Sequence, residues 1–427
     1  MGVITEGFSW LYFILSVILT LLPFYWVKKR PVREKLYVLP YAAFFFVYSG
    51  AGVAWDNCDK EYLFYYFIWM LCFSYTVYFL IGKKRIYSIE GVDYRSSFWV
   101  TNYANVFIIL YIAVLFLSVA LNGNIHNLIS PPSPDLSGLM DVVSEGGDAS
   151  ESGIIYYLKH ILFVFYFVAL YKYRKSPGLL LLFIVLPFYF NYANTGYLAR
   201  STVMGYLLIY LVAVYFYNPH LRKKIRLAVL IGLPFVLIGL ALYTFIRIGH
   251  EVNISAGEAI KLLAYQETSY PTQYELIKKL PFDQNILNDY WEWLISLPLP
   301  GFLKDSSKDY FFNAIFTERL YGVTRGAMGF SIALPGIVGE GLFIFGFWGY
   351  FLHAIILGFF VGVTYHLVKS KQEFFLFLYM GIFMAFHSAR AGTVATYSMY
   401  LKDFLVYEIV LLLVSFFSRP KKNASIC

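Results

Sequence analysis

The sequence predicts an all-α polytopic membrane protein with about eleven transmembrane helices (about ten to twelve) and a long, partly helical external loop. Three observations predict it. Of the 427 residues, 59% are hydrophobic and only 14% are charged, where soluble domains run near 45–50% and about 25%. Apolar runs of the roughly 20 residues that a helix needs to cross a bilayer recur along the chain. Lysine and arginine crowd into alternate connections between those runs. This composition excludes a water-soluble globule and a disordered chain. The 42 Phe and 39 Tyr fit the same class. Many Tyr rings are expected at the headgroup level, where an apolar body and a polar tip are both satisfied.

In chain order, the spans fall near 8–27, 36–55, 61–82, 99–121, 153–171, 179–195, 201–217, 227–247, 334–368, 373–389 and 400–418. The stretch 334–368 is too long for one straight crossing. Pro335 and the glycines after it predict a re-entrant or half helix followed by a full one. The basic connections hold Lys28, Lys29, Arg30, Arg33 and Lys35; Lys83, Lys84, Arg85 and Arg95; Lys172, Arg174 and Lys175; Arg222, Lys223, Lys224 and Arg226; Lys369 and Lys371; and Arg419, Lys421 and Lys422. The opposite connections carry little positive charge. The loop 122–152 has no Lys or Arg but holds Asp135, Asp141, Glu145, Asp148 and Glu151. The positive-inside rule therefore predicts an external N-terminus and a cytoplasmic C-terminus. It also explains the net charge of +8 without a nucleic-acid partner.

The chain reads as one integral membrane domain, 1–427, with two external segments of note. Residues 122–152 are acidic and rich in Pro, Ser and Gly, a mobile connector. Residues 248–333 form a large loop with short helices, including the amphipathic run SAGEAIKLLAYQE and the aromatic segment DYWEWLISLPLPGF. A connection of that length carries function or its own structure. No internal repeat marks an inverted-repeat transporter. The three cysteines have no ligand spacing, so neither a disulfide framework nor a metal site is expected. The opening MGVITEGF lacks a basic n-region and a myristoylation pattern, so no cleaved leader or lipid is expected there.

The chain contains no GxxxxGK[ST], HExxH, GxSxG or strand-borne GxGxxG. The cytoplasmic side has only short basic turns, which leaves no room for nucleotide chemistry. Chemistry is therefore expected on the outer face. There stand Arg200, Arg247, Arg319, Arg325 and Arg390, on the side that the charge rule leaves poor in arginine. Charge in or near the membrane is costly and marks function. A guanidinium is a planar donor fork suited to phosphate oxygens. Any one of these arginines is equally explained by snorkelling or by pairing with a loop acid. Several converging from different helices predict an anionic ligand. Among the carboxylates, Glu340 stands out in the apolar, glycine-rich PGIVGEGLFIFG. It either pairs with an arginine or serves a site. Glu267 in LAYQETSYP is a second candidate. His250 and His387 lie near arginines, while His353 and His366 read as structural. Gly358 and Gly362 form a GxxxG packing pair.

The C-terminal third carries a resemblance. LISLPLPGFLKDSSKDY is followed by GVTRGAMGFSIALPGIVGEGLFIFGFWGYFLHAIILGFFVG. Pro298, Pro300, Lys304 and Asp305 in the first segment, and Pro335, Gly336, Gly339, Glu340, Phe345 and Gly346 in the second, resemble the bacterial oligosaccharide repeat-unit or O-antigen polymerases, the Wzy family. YLARSTVMGYLL resembles that family's Ser/Arg/Gly stretch opening a middle span. Leu299 and Gly301 depart from it, standing where the family often has Arg.

The resemblance implies a GT-C-like glycosyltransferase in the bacterial cytoplasmic membrane. It would move a growing glycan from undecaprenyl diphosphate to a lipid-linked repeat unit at the external leaflet. No cofactor or metal is implied. Arg200, Arg247, Arg319, Arg325 and Arg390 would bind the diphosphate and glycan, with Glu267, Glu340 or His250 taking the acceptor proton. The implied partners are the undecaprenyl-diphosphate-linked oligosaccharide, membrane lipids, and a chain-length regulator and flippase of the same pathway. An O-antigen ligase-type transferase shares the chemistry and differs in acceptor. A lipid-linked oligosaccharide flippase is the transporter alternative.

The predicted orientation is testable by labelling. In a chain with Cys58, Cys72 and Cys427 replaced by Ala, Asp135→Cys should react with a membrane-impermeant maleimide on intact cells. Lys84→Cys should react only after permeabilisation. The reverse pattern would invert the topology.

Overall fold

A hydrocarbon core offers no water to backbone N–H and C=O groups, so an apolar chain of this kind satisfies them internally as helices. The computed structural model describes residues 7–82, 95–130, 153–195, 200–232, 235, 256–297, 312–323, 333–368 and 371–417, and every regular element among them is helical. Five helices are long and apolar enough to cross a membrane: Val32–Ala54, Tyr62–Gly82, Ala104–Leu121, Pro177–Asn194 and Gly336–Leu367. Trp10–Leu21, Val203–Tyr217 and Phe374–Arg390 are shorter and apolar. Much of their outward surface is apolar too, as with Trp10, Leu11, Ile14 and Ile18 on one helix and Ile109, Leu110 and Phe116 on another. A lipid-facing surface has this character; a water-facing one would not keep so much of it contiguous.

Four of the basic turns gather at one end. Arg33 donates from Nη2 to Val368 O at 2.6 Å and lies 4.7 Å over the Phe377 ring. Asn218 donates to Arg174 O at 3.2 Å, and Tyr217 packs on Phe374 at 5.1 Å. The turns near 30, 174, 218 and 372 are thereby neighbours. The charge-poor turns close the other end, where Asn122 donates to the Asn194 side chain at 2.8 Å.

Some of the tyrosines are also used inside the bundle. Tyr37, Tyr41, Tyr62, Tyr66, Tyr166 and Tyr407 are buried among the helices. Tyr41 OH donates to Met380 O at 2.9 Å, and Tyr37 OH to Val361 O at 3.2 Å. Met380 lies in a π-turn, Tyr379–Phe383, whose wider winding disturbs the regular carbonyl ladder. A phenol brings both apolar volume and the donor that such a carbonyl needs.

The end of the bundle away from the basic turns is framed by a few of these helices. Helix α1 (Val32–Phe45) runs on through a π-turn, Phe46–Gly50, and a 3-10 turn, Ala51–Ala54. Helix α2 spans Tyr62–Gly82. The long segment expected to be external holds four helices among its described residues: α3 (Ala256–Thr268), α4 (Tyr274–Lys279), α5 (Gln284–Ser296) and α6 (Phe312–Tyr321). Lys278 of α4 pairs with Asp59 at 3.4 Å and with Glu61. The Glu61 backbone N–H donates to Asp59 at 2.9 Å and holds that carboxyl below its ordinary range.

Helix α7 spans Gly336–Leu367 and breaks at Gly346, with φ 69° and ψ 177°, a conformation open to glycine and costly for other residues. The chain reverses there. A Cβ on Gly341 would lie 3.2 Å from both His353 Cβ and Tyr350 O, twelve and nine residues further on. A straight helix would separate such residues by more than about 13 Å. Residues 336–345 are thus a half helix folded back against the full span 347–367, as the length of 334–368 predicted. The Phe282 ring covers Gly346, and Tyr290 of α5 packs on Phe345 at 5.4 Å. The full span packs along α2. Cβ atoms on Gly358 and Gly362 would meet Thr76 Cβ at 2.9 Å and Leu80 Cβ at 2.6 Å, so the GxxxG pair is a close-packing seam.

The α2–α7 seam predicts a stability effect. Gly362→Leu should cost about 2–3 kcal/mol through overpacking and lower the thermal midpoint in detergent. Gly178→Ala, with open space around it, should leave the midpoint unchanged.

Candidate functional site

Helix α3 is amphipathic and ends against the 3-10 turn that follows α1. Gly52 makes this approach possible, because a Cβ there would fall 1.9 Å from Thr268 O. Trp55 Nε1 donates to Thr268 Oγ1 at 2.8 Å, and Asn57 to Tyr265 OH at 2.7 Å. The Trp55 and Tyr265 rings meet edge-on at 5.2 Å. These contacts fix the last turn of α3, which carries Glu267.

Arg390 arrives from the other side. It lies near the end of α8 (Met384–Ala391), and its Nε donates to Glu267 Oε2 at 3.3 Å. The two side chains are 28% and 23% exposed, so the pair is half-buried and open to solvent. Tyr48 and Tyr270 form its floor, with rings 5.6 Å apart, and Tyr48 also packs edge-on to Phe386 at 5.6 Å. Both Glu267 and Arg390 lie close enough to act electrostatically on the Tyr48 phenol. His387 stacks on Phe383 at 5.7 Å, three residues before Arg390. Among the described residues, the two terminal nitrogens of Arg390 make no hydrogen bond. The site is therefore a guanidinium with one edge held by a carboxylate and a donor pair left over. That arrangement suits a phosphate-type anion.

A second cluster lies beneath. Glu340, in the half helix, is fully buried. It pairs with no arginine among the described residues; its carboxylate is taken by Thr393. Thr393 N donates to Oε2 at 2.8 Å and Thr393 Oγ1 to Oε1 at 2.7 Å. Thr393 opens α9 (Thr393–Met399), so the negative charge sits at a helix N-terminus, where it is favoured. His353 Nε2 lies 2.9 Å from Thr393 Oγ1, and Trp69 Nε1 donates to His353 Nδ1 at 3.3 Å. An indole only donates, so Nδ1 accepts. Nε2 is then the donor to Thr393 Oγ1, and the donors run in one direction from Trp69 to Glu340.

The remaining sequence candidates fall elsewhere. Arg319 on α6 pairs with Asp283 at 2.6 Å with its side chain 57% exposed. Arg200 opens the helix Arg200–Tyr217, and its side chain lies outside the described residues, as do Arg247, His250 and Arg325 entirely. The described structure thus joins Glu267 to Arg390 and ties Glu340 to the turn that follows Arg390. Tyr48, Tyr270, Thr393 and Trp69 were not singled out from the sequence. Tyr270 had a local signal, three residues after Glu267 beside Pro271. Tyr48, 219 residues before Glu267, had none. No family model, curated protein or solved structure matches the chain.

The pair predicts coupling. Arg390→Ala should destabilise by about 1–2 kcal/mol, discounted for exposure from the fully buried case. Adding Glu267→Gln should recover part of that loss. Additive effects in the double-mutant cycle would mean that the two side chains do not interact.

Proposed function

We propose that this chain is a membrane glycosyltransferase that polymerises lipid-linked oligosaccharide repeat units at the external leaflet. The observation that carries the reading is Arg390. Its charge is held by Glu267 at a half-buried, solvent-reachable place, with a donor pair left over for an anion. The motif resemblance supplies the substrate class, undecaprenyl diphosphate carrying a glycan. Eleven crossings with an external N-terminus in a bacterial cytoplasmic membrane, in a GT-C-like arrangement, would put Arg390 and the external helices on the side where such donors stand.

The acceptor hydroxyl oxygen attacks the anomeric carbon of the donor glycan. The bond from that carbon to the diphosphate oxygen breaks, and the lipid diphosphate leaves with the electron pair. Its developing charge needs fixed cations. Arg390 meets it, with Arg200, Arg247 and Arg325 as further cations. Arg319, occupied by Asp283 on an exposed helix, contributes less. An arriving diphosphate competes with Glu267 for the guanidinium. The released carboxylate then accepts the acceptor's proton. Glu267 is favoured over Glu340 because it reaches solvent, whereas both oxygens of Glu340 are engaged by Thr393. The donor is already activated, so the reaction consumes neither ATP nor a nucleotide sugar. The helices α3 to α6 roof the outer end, where their aromatic faces can hold sugar.

A deletion strain tests the reading by what accumulates. A single lipid-linked repeat unit exposed outside marks a polymerase. Full-length polymer on lipid marks a ligase, and one unit trapped inside marks a flippase. On complementation, Arg390→Ala should lower polymer formation by about 10²–10³-fold, the scale of one lost charge-stabilising donor. Arg319→Ala should fall far less. Normal polymer length with Arg390→Ala would end the proposal.

A further inference from the structure

The geometry points to Glu340 as the positioning residue for Arg390, acting through the Gly392–Thr393 turn. This rests on the reading of Arg390 as the anion-binding group. Arg390 stands two residues before Gly392, whose φ of 96° and ψ of 167° separate α8 from α9. The Glu340 carboxylate closes over that turn. A Cβ on Gly392 would lie 3.0 Å from Oε2, so no side chain fits between them. Both oxygens of Glu340 hold Thr393, through its amide and its hydroxyl. The hydroxyl is in turn set by His353, and His353 by Trp69.

Three elements therefore converge on one turn: the half helix through Glu340, the full span through His353, and α2 through Trp69. Gly341 lets the two arms of α7 close against each other. The end of α8 cannot rotate or slip without breaking a charge-assisted bond inside an apolar interior, where the lost partner has no water to replace it. A guanidinium anchored this way presents its free donors in one place. That is what an anion-binding group needs if its ordering is to be complete before the ligand arrives. The alternative for Glu340, proton acceptor, requires it to reach an acceptor sugar, and a fully buried carboxylate with both oxygens engaged offers no such face.

The test uses the full-length chain in lipid nanodiscs. The rate at which phenylglyoxal modifies Arg390 is read by peptide mass spectrometry, with exposed Arg319 as an internal control. Glu340→Gln and Thr393→Val should each change the Arg390 rate by about tenfold, the worth of one charge-assisted hydrogen bond, and leave Arg319 unchanged. Thr393→Ser keeps amide and hydroxyl and should restore the wild-type rate. The same variants should weaken protection of Arg390 by farnesyl diphosphate by a similar factor. Unchanged Arg390 reactivity in Glu340→Gln and Thr393→Val, or Thr393→Ser behaving like Thr393→Val, would overturn the assignment. If farnesyl diphosphate fails to protect wild-type Arg390, the functional reading falls, and the bare reactivities still decide the positioning role.

Discussion

A carboxylate cannot stand unpaired in the interior of a membrane protein, and the way Glu340 is satisfied organises the end of the bundle around it. Desolvating a carboxylate without partners costs several kcal/mol even after relaxation. Among the described residues the hydrogen bonds come from Thr393, which supplies a backbone and a side-chain donor at a helix N-terminus where negative charge is favoured, with His353 Nε2 3.8 Å from the carboxylate. Those donors reach Glu340 only if the chain turns at Gly392 and reverses at Gly346. The polar requirement of one side chain thus fixes two backbone turns.

Glycine makes the requirement attainable. Gly346 and Gly392 hold positive φ, and Gly341 lets the half helix touch the span at His353. At Gly52 the same property serves the site itself, since the last turn of α3 rests almost on the α1 backbone. Without that approach Glu267 would stand too far out to meet Arg390. Close helix contact in lipid draws little from the hydrophobic effect and more from packing and hydrogen bonds. Small residues therefore appear where the structure needs proximity, at Gly358 and Gly362 as well as at the turns.

Much of the architecture could be read from the sequence because bilayer physics acts locally. Apolar length gives helices, the basic turns near 30, 174, 218 and 372 share one end, and an overlong apolar stretch with Pro335 and several glycines gives a broken helix. Glu340 stood out for the same reason, as an acid amid apolar residues. Its partner did not, because Thr393 is an ordinary residue 53 positions away whose importance comes from an amide that every residue carries. The Glu267–Arg390 pair joins residues 123 positions apart, on α3 and on a late helix. Each was suspected alone, but the charge pattern marks a side of the membrane and not a partner. Arg319 shows the limit of that inference. It was expected on the same face as Arg390, yet its neighbour on the fold is Asp283, the residue that caps α5 by accepting from Asn285 N at 2.9 Å.

The two carboxylates differ in a way that bears on mechanism. Glu340 is buried and saturated, so exchanging its partners would leave charge stranded in a medium that cannot screen it. Glu267 is half-open and holds Arg390 by one edge. A pair in that setting is worth modest free energy, because water screens it, and a more highly charged anion can displace the carboxylate. The same fold thus contains one ion contact built to persist and one able to exchange, joined through the two residues between Arg390 and Thr393. The proposed function would use both, a rigid mount for the cation and a weak resident anion that yields its place to a diphosphate.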